Sequence, residues 1–398
     1  MRSYDAIIIG AGVLGLATAW NLLKRAPHLR LAILEKEDRP ASHQTGHNSG
    51  VIHSGIYYNP GSLKAENCRK GVKQLYNYLN EKGIPFEQCG KLIIAKSPQE
   101  LPALKELERR GLANGVPGLK MIQKEEITQY EPHCAGIAAL HSPETSIVDY
   151  VRVATSYLED IRNAGADVFF NQELKNTEER PEGIILKTIT EEFCTKQAIN
   201  CTGFYADKVA HLSDAAISKK QIIPFRGEYY ELKPEKRQLI KGLIYPVPNP
   251  EFPFLGVHLS KTIDGRVEAG PNAVLAFCRE GYRKRDVSLQ SLWDYISYSG
   301  FWNMASKYWK VGIYELYRSY SKKAFLKSLQ TLVPELVDED LIPAESGVRS
   351  QIVLPNGKLQ DDFLIVERPG WVHVLNAPSP AATASLAIGE TIASLVHV

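Results

Sequence analysis

The sequence is short of several things that would each point to a known class of protein. Its six cysteines form no CxxC pair, so neither a zinc ribbon nor a thioredoxin-like site is expected, and buried reduced thiols are the plain reading. No apolar run reaches the roughly 18 residues that a membrane-spanning helix needs. Neither sign of charge prevails: Lys+Arg is 47 and Asp+Glu 45, a formal net charge of +2. A chain binding nucleic acid over its surface would be far more basic. There is no repeat, no low-complexity linker and no secretory leader, because a strand-like run, Tyr4 to Ile9, begins almost at once. What remains, 44% hydrophobic and 23% charged residues over 398 positions, is ordinary globular composition. That length suggests two domains or one large composite and needs no disulfide or metal staple.

The pattern along the chain reads strand, glycine turn, helix, strand over the first 35 residues. Helices are expected at 61–82, 148–164 (opened by Asp149, closed near Gly165), 286–333 and about 381–396. Strands are expected at 90–96, 137–140, 167–171, 183–189, 193–201, through much of 221–278, and at 363–367 and 371–375. Like elements open and close the chain. The expected architecture is therefore α/β: a discontinuous Rossmann-like nucleotide-binding domain (1–85, 146–218 and 340–398). Inserted into it is a β-rich α+β substrate domain (86–145 and 219–339).

Gly10-Ala11-Gly12-Val13-Leu14-Gly15 follows an apolar strand and opens a helix. In a dinucleotide fingerprint Gly10 makes the tight turn, Gly12 lets backbone approach a pyrophosphate, and Gly15 lets helix pack on strand. Glu35 stands twenty residues after Gly15, at the end of the second strand, where it can accept from ribose hydroxyls and would repel a 2′-phosphate. FAD or NAD fits and NADP is disfavoured. The small polar stretch His43-Gln44-Thr45-Gly46-His47-Asn48-Ser49-Gly50 suits a large flat cofactor better than another βαβ unit would. A late turn, Asn376 to Thr383, offers the N-terminus of the last helix to a flavin ring.

Longer strings carry more. HQTGHNSGVIHSGIYYNPGSLKA at 43–65, PFRGEYY at 224–230, IYPVPNPEFPFLGVHL at 244–259 and GPNAVLAFCREGYRKRD at 270–286 are joined by GVRSQ at 347–351, DDF at 361–363 and NAPSPAATASLAIGE at 376–390. On these, the chain resembles the L-2-hydroxyglutarate dehydrogenase family within the D-amino-acid-oxidase-like flavoproteins, with a glutathione-reductase-like fold. The lack of a long tail and of an organelle leader points to a bacterial-type form. The resemblance implies FAD, oxidation of L-2-hydroxyglutarate to 2-oxoglutarate, and transfer of electrons to a membrane acceptor such as a quinone. It places FAD on Gly10, Gly12, Gly15, Glu35, Thr45, Gly46, His47, Asn48, Ser49, Gly203, Gly347 and the turn Ser379, Pro380, Ala381, Ala382 and Thr383. Some relatives attach FAD through a nearby histidine; a non-covalent cofactor is expected here. An amine or amino-acid oxidase of the same superfamily, or a non-catalytic FAD-binding protein, is the alternative.

Oxidising a secondary alcohol requires a base, and histidine is suited to that near neutral pH. His53 and His258 are the candidates, with His43 and His47 in support of the cofactor. The implied substrate is a dianion, and arginine grips carboxylates with a bidentate fork. Arg349 is the candidate for the carboxylate beside the reacting carbon. Arg226, Tyr229 and Tyr230, or Arg279 and Tyr282, are candidates for the distal one, and Tyr57 and Tyr58 could cap the pocket. No metal site is expected.

Segment 283–327 is basic and aromatic. It has nine Lys/Arg against three acids, and three of the five tryptophans, Trp293, Trp302 and Trp309. That is membrane-interface composition. The expectation is a peripheral protein on the cytoplasmic face of the inner membrane, with no nucleic-acid partner; an ordinary helical cover with a solvated basic face is the alternative.

Overall fold

A computed structural model describes residues 1–213, 220–248 and 255–397. Residues 249–254 of the motif at 244–259 lie outside the described residues. Strand β1 (Arg2–Ile9) leads into helix α1 (Val13–Arg25) and strand β2 (Leu31–Leu34). β1 and β2 are apolar without alternation because both faces are covered, and Ile7, Ile8, Leu16 and Leu22 are fully buried. Each such side chain stabilises the fold by about 1.5–3 kcal/mol.

Five parallel strands form the centre of the first sheet in the order Asp167–Phe169, β2, β1, Glu192–Asn200, Trp371–Asn376. Antiparallel strands Gly183–Thr188, Leu174–Arg180 and Leu364–Arg368 extend it. The last helix, Ser385–Ser394, returns to pack on α1 so closely that a Cβ on Gly389 would lie 2.7 Å from the Ala17 backbone. The same domain is thus assembled from the two ends of the chain and a middle segment.

The second sheet has eight strands, ordered Leu341–Pro343, Tyr230–Leu232, Val267–Gly270, His258–Lys261, Leu243–Pro246, Lys91–Ala95, Ala138–Ser142, Lys120–Gln123. One face packs Leu92, Ile94, Ile244, Leu259 and Ala269 against Phe325 and Leu329 of helix Lys322–Gln330. The other face carries a row in register, Ser142, Lys91, Leu243, Ser260 and Glu268. A small sheet, Gln221–Gly227 between Val274–Leu275 and Gly347–Val353, bridges the two halves.

The chain returns to the first sheet later than residue 340. Leu341–Pro343 and Gly347–Val353 pair with strands of the 219–339 segment, and only Leu364–Arg368 rejoins the first. Two helices, Leu101–Ala113 and Lys124–Tyr130, and strand Leu174–Arg180 are not marked in the sequence pattern. The strand is charged on an edge, which hides its alternation. Among the described residues no helix is long and apolar enough to cross a membrane.

Candidate active site

The strands of the first sheet end on one cavity. Gly10 follows β1, Glu35 follows β2, Cys201-Thr202-Gly203 follow Glu192–Asn200, and Ala377 to Thr383 follow Trp371–Asn376; all of them line it. This is where open parallel sheets bind ligands. The cavity holds about 1840 Å³, larger than a small substrate requires, and runs on to His53, Tyr57, Tyr229, Tyr245, His258 and Arg349.

Its nucleotide end is built from backbone. Gly10 sits at φ +107°, and a Cβ there would lie 2.6 Å from the Cys201 carbonyl oxygen. A Cβ on Gly15 would meet the Gly10 carbonyl oxygen at 2.0 Å, so only glycine lets α1 start so close to β1. Gly12 is the N-cap of α1 and brings no side chain of its own, and the first turn has no acid. Thr45 Oγ1 accepts from the Val13 N–H at 3.0 Å and ties the polar stretch to this helix. The buried Glu35 carboxylate accepts from the Ala11 N–H at 2.7 Å and the Glu37 N–H at 3.0 Å. Each oxygen keeps a further lone pair for ribose. Gly46 and Gly15 pack the turns rather than line the cavity, whereas Thr45, His47, Asn48, Ser49, Gly203 and Gly347 line it. His47 is held by the His43 carbonyl and lies 4.4 Å from the Tyr282 ring. Beside the ribose end, Glu37, His43 and Glu280 converge, and Lys36 pairs with Glu280 at 2.7 Å. A long cavity, glycines at the close approaches and two helix starts beside it without acid in their first turns (α1 and Ser385–Ser394) fit an extended dinucleotide carrying a flat ring.

The other end is built from buried side chains. His53 opens on the cavity; its N–H donates to Thr383 Oγ1 at 3.1 Å, which anchors it to the late turn. His258 Nδ1 is 2.9 Å from the Gly256 carbonyl. A carbonyl only accepts, so Nδ1 carries the proton and Nε2 keeps its lone pair. The ring stacks on Tyr245 at 3.8 Å. Burial, reinforced by Lys91, pushes both imidazoles down to about 3, and so both are neutral at pH 7. Arg349, on strand Gly347–Val353, lines the cavity and its charge acts on His258, Tyr229 and Tyr245.

Four of the five candidates for the distal carboxylate are elsewhere. Arg226 is buried and committed, with Nε and Nη2 on Glu228 at 3.1 and 2.9 Å and Nη1 on the Arg283 carbonyl at 3.2 Å. Arg279 makes a bidentate pair with Asp207 at 2.6 and 2.8 Å. Tyr230 packs against Phe325, 4.8 Å between ring centroids, on the far face of the sheet. The neighbour Tyr229 lines the cavity instead, because a step of one residue changes face. Tyr282 stacks between His43 and His47 rather than reaching the substrate end. Tyr57 and Tyr58 do line the cavity. Sequence reasoning missed Lys91 and Tyr245; a lysine opening the apolar strand Leu92–Ala95 was the available signal.

Comparison with known proteins agrees with this geometry. A family model described as FAD dependent oxidoreductase matches residues 5–395. The chain is 50% identical over 389 residues to the L-2-hydroxyglutarate dehydrogenase of Indibacter alkaliphilus, covering 98% of each. It is 46% identical to the human mitochondrial L-2-hydroxyglutarate dehydrogenase, covering 99% of this chain and 89% of that one. Among solved structures, the FAD-bound L-alpha-glycerophosphate oxidase of Mycoplasma pneumoniae superimposes with a TM-score of 0.81 at 25% identity, over 100% of this chain and 95% of the other. With the fingerprint, the cavity and the family model in agreement over nearly its whole length, the chain belongs to the FAD-dependent oxidoreductase family.

Proposed function

We propose that the enzyme oxidises L-2-hydroxyglutarate to 2-oxoglutarate and passes the electrons to a membrane acceptor, a quinone being the best chemical match. The observation that carries this reading is the pairing of a cavity-lining arginine with two neutral histidines, in a chain half identical to a named L-2-hydroxyglutarate dehydrogenase. FAD, bound without a covalent link, supplies the hydride acceptor. Arg349 takes the carboxylate beside the reacting carbon and so fixes which hydrogen faces the ring. The hydroxyl proton goes to a neutral imidazole. His258 has its tautomer set by Gly256, so its Nε2 is ready to accept; His53, tied by its backbone to Thr383, is the second candidate. Anaerobic bleaching of the purified yellow enzyme against a panel of 2-hydroxy and 2-amino acids tests the reading. L-2-hydroxyglutarate should bleach it fastest, and a faster amino acid would move the enzyme to the amine oxidases.

The acceptor proposal rests on a surface. Helices Leu289–Ile296 and Ser299–Tyr320 expose Leu289, Trp293 and Ile296, then Trp302, Trp309, Ile313, Leu316, Tyr317 and Tyr320. At helical spacing the second set falls in one stripe. A soluble surface rarely leaves such a patch open. Several cations of the segment are already paired, Arg318 with Glu315 and Lys322 with Asp338, which leaves Arg283, Arg285, Lys307, Lys310, Lys323 and Lys327 toward solvent. Each basic residue near an anionic leaflet contributes about 1 kcal/mol. Peripheral, salt-sensitive attachment at the cytoplasmic face follows. Co-sedimentation with anionic vesicles at low salt should be strong, and failure to sediment would make this helical segment a simple cover.

A further inference from the structure

With Arg226 and Arg279 tied up in buried ion pairs, the second carboxylate of a dicarboxylate still needs a cation. Lys91 opens strand Lys91–Ala95 on the side of the second sheet that carries the cavity-lining Tyr245; it is only 3% exposed and stands behind the cavity lining rather than in it. Its Nζ lies 3.7 Å from the centroid of the Tyr245 ring and 4.6 Å from that of Tyr57, and both rings line the cavity. Among the described residues no carboxylate pairs with it, and its contacts are these two π faces. The Tyr57 hydroxyl is likewise buried and makes no hydrogen bond. A buried ammonium and a buried hydroxyl left without partners are each costly, and that cost is relieved by an anion that reaches both. The placement relative to Arg349 is informative. His258 feels the charge of Lys91 and of Arg349, so both cations stand near its ring.

We infer that Lys91 Nζ and Tyr57 Oη bind the distal carboxylate of the substrate, while Arg349 takes the other, and so select dicarboxylates over monocarboxylates. This rests on the 2-hydroxyglutarate reading above and assigns that substrate its second anchor. The tyrosine faces hold the tip of the lysine in position while no carboxylate is present. The same burial lowers Lys91 to about 7, with Cys89, Tyr57, Tyr245, His53 and His258 as its titratable neighbours. At pH 8 most of the free enzyme then carries it neutral. A bound carboxylate restores the charge, so binding takes up roughly one proton.

The test uses FAD-loaded enzyme and two matched pairs: L-2-hydroxyglutarate with 2-hydroxypentanoate for bleaching, and 2-oxoglutarate with 2-oxopentanoate for calorimetric binding in two buffers of different ionisation heat. Lys91→Met should reduce the preference for the dicarboxylate by about 10- to 100-fold, and Tyr57→Phe by less. Wild-type enzyme at pH 8 should take up a proton with 2-oxoglutarate and not with 2-oxopentanoate. A Lys91→Met enzyme that keeps the wild-type preference, or loses both acids equally, overturns the assignment. So does the absence of proton uptake in the wild type, which needs no variant to fold. If the wild type does not distinguish the two acids at all, the functional reading fails and the assignment fails with it.

Discussion

The two ends of the cavity are made of different material. At the nucleotide end the contacts are backbone: glycines where a Cβ would strike a carbonyl, and helix starts with no acid in their first turn. At the substrate end they are side chains, ionisable and buried, whose behaviour depends on what stands within a few ångströms. Backbone recognition tolerates almost no substitution but asks little of distant residues. Side-chain recognition depends on partners brought from several strands.

Variants at the nucleotide end should have the largest effects. Gly15→Val drives a branched side chain into the Gly10 carbonyl, whose oxygen stands 2.0 Å from where the first side-chain carbon must go. The expected outcome is loss of FAD and of soluble protein, read by flavin absorbance after purification. A yellow, folded Gly15→Val protein would mean that this end is less rigid than the geometry requires. Next comes the base. His258→Ala should lower the anaerobic bleaching rate by roughly 100-fold or more with FAD retained. His53→Ala should cost less, and the reverse order would exchange their roles. Two arginines sharpen the contrast further. Arg349→Lys should raise the substrate dissociation constant about tenfold, as a fork becomes a point charge. Arg226→Ala should leave Glu228 buried without its closest partner and destabilise the protein by about 3–5 kcal/mol, which denaturant unfolding would register. A substrate-affinity loss without destabilisation at Arg226 would return it to the binding site.

A smaller effect concerns acid. His53 and His258 have native values near 3 against about 6.5 for the unfolded chain. Between those limits the unfolded state binds more protons. Their contribution to stability is therefore complete above about pH 6.5 and is lost progressively as pH falls toward 3. The melting temperature should drop across that window, and a His53→Gln, His258→Gln double variant should flatten the profile. The smallest effect is at the surface, where Trp302→Ala with Trp309→Ala should reduce vesicle sedimentation while bleaching is retained.

The difference between the two ends also explains what the sequence makes legible. Gly10, Gly12, Gly15 and Glu35 obey a fixed spacing because one strand–turn–helix unit determines them. The order of the other elements follows from hydrophobic period, and strand Leu174–Arg180 escaped because its charges mask that period. At the substrate end, residue type alone offered several arginines. Arg226 and Arg349 look alike in sequence, and only the carboxylate two positions on, Glu228, distinguishes the first. Arg279 has its partner 72 positions away, at Asp207, with no local sign. Tyr229 and Tyr230 differ by one step of pleat. Lys91 leaves only one sign in the sequence, a lysine opening an apolar strand; what makes it unusual is two tyrosine rings from other segments.

The closing contact of the last helix on α1 sets an order of events during synthesis. Strand Trp371–Asn376 lies beside Glu192–Asn200, and helix Ser385–Ser394 rests on Ala17 through Gly389. A ribosome must therefore have released helix Ser385–Ser394 before the first glycine turn has its full set of neighbours. Until then the nascent first half exposes an apolar helix face that residues 385–394 are to cover. Shortening the chain by that one helix removes a wall from the oldest part of the molecule, not an appendage from its end.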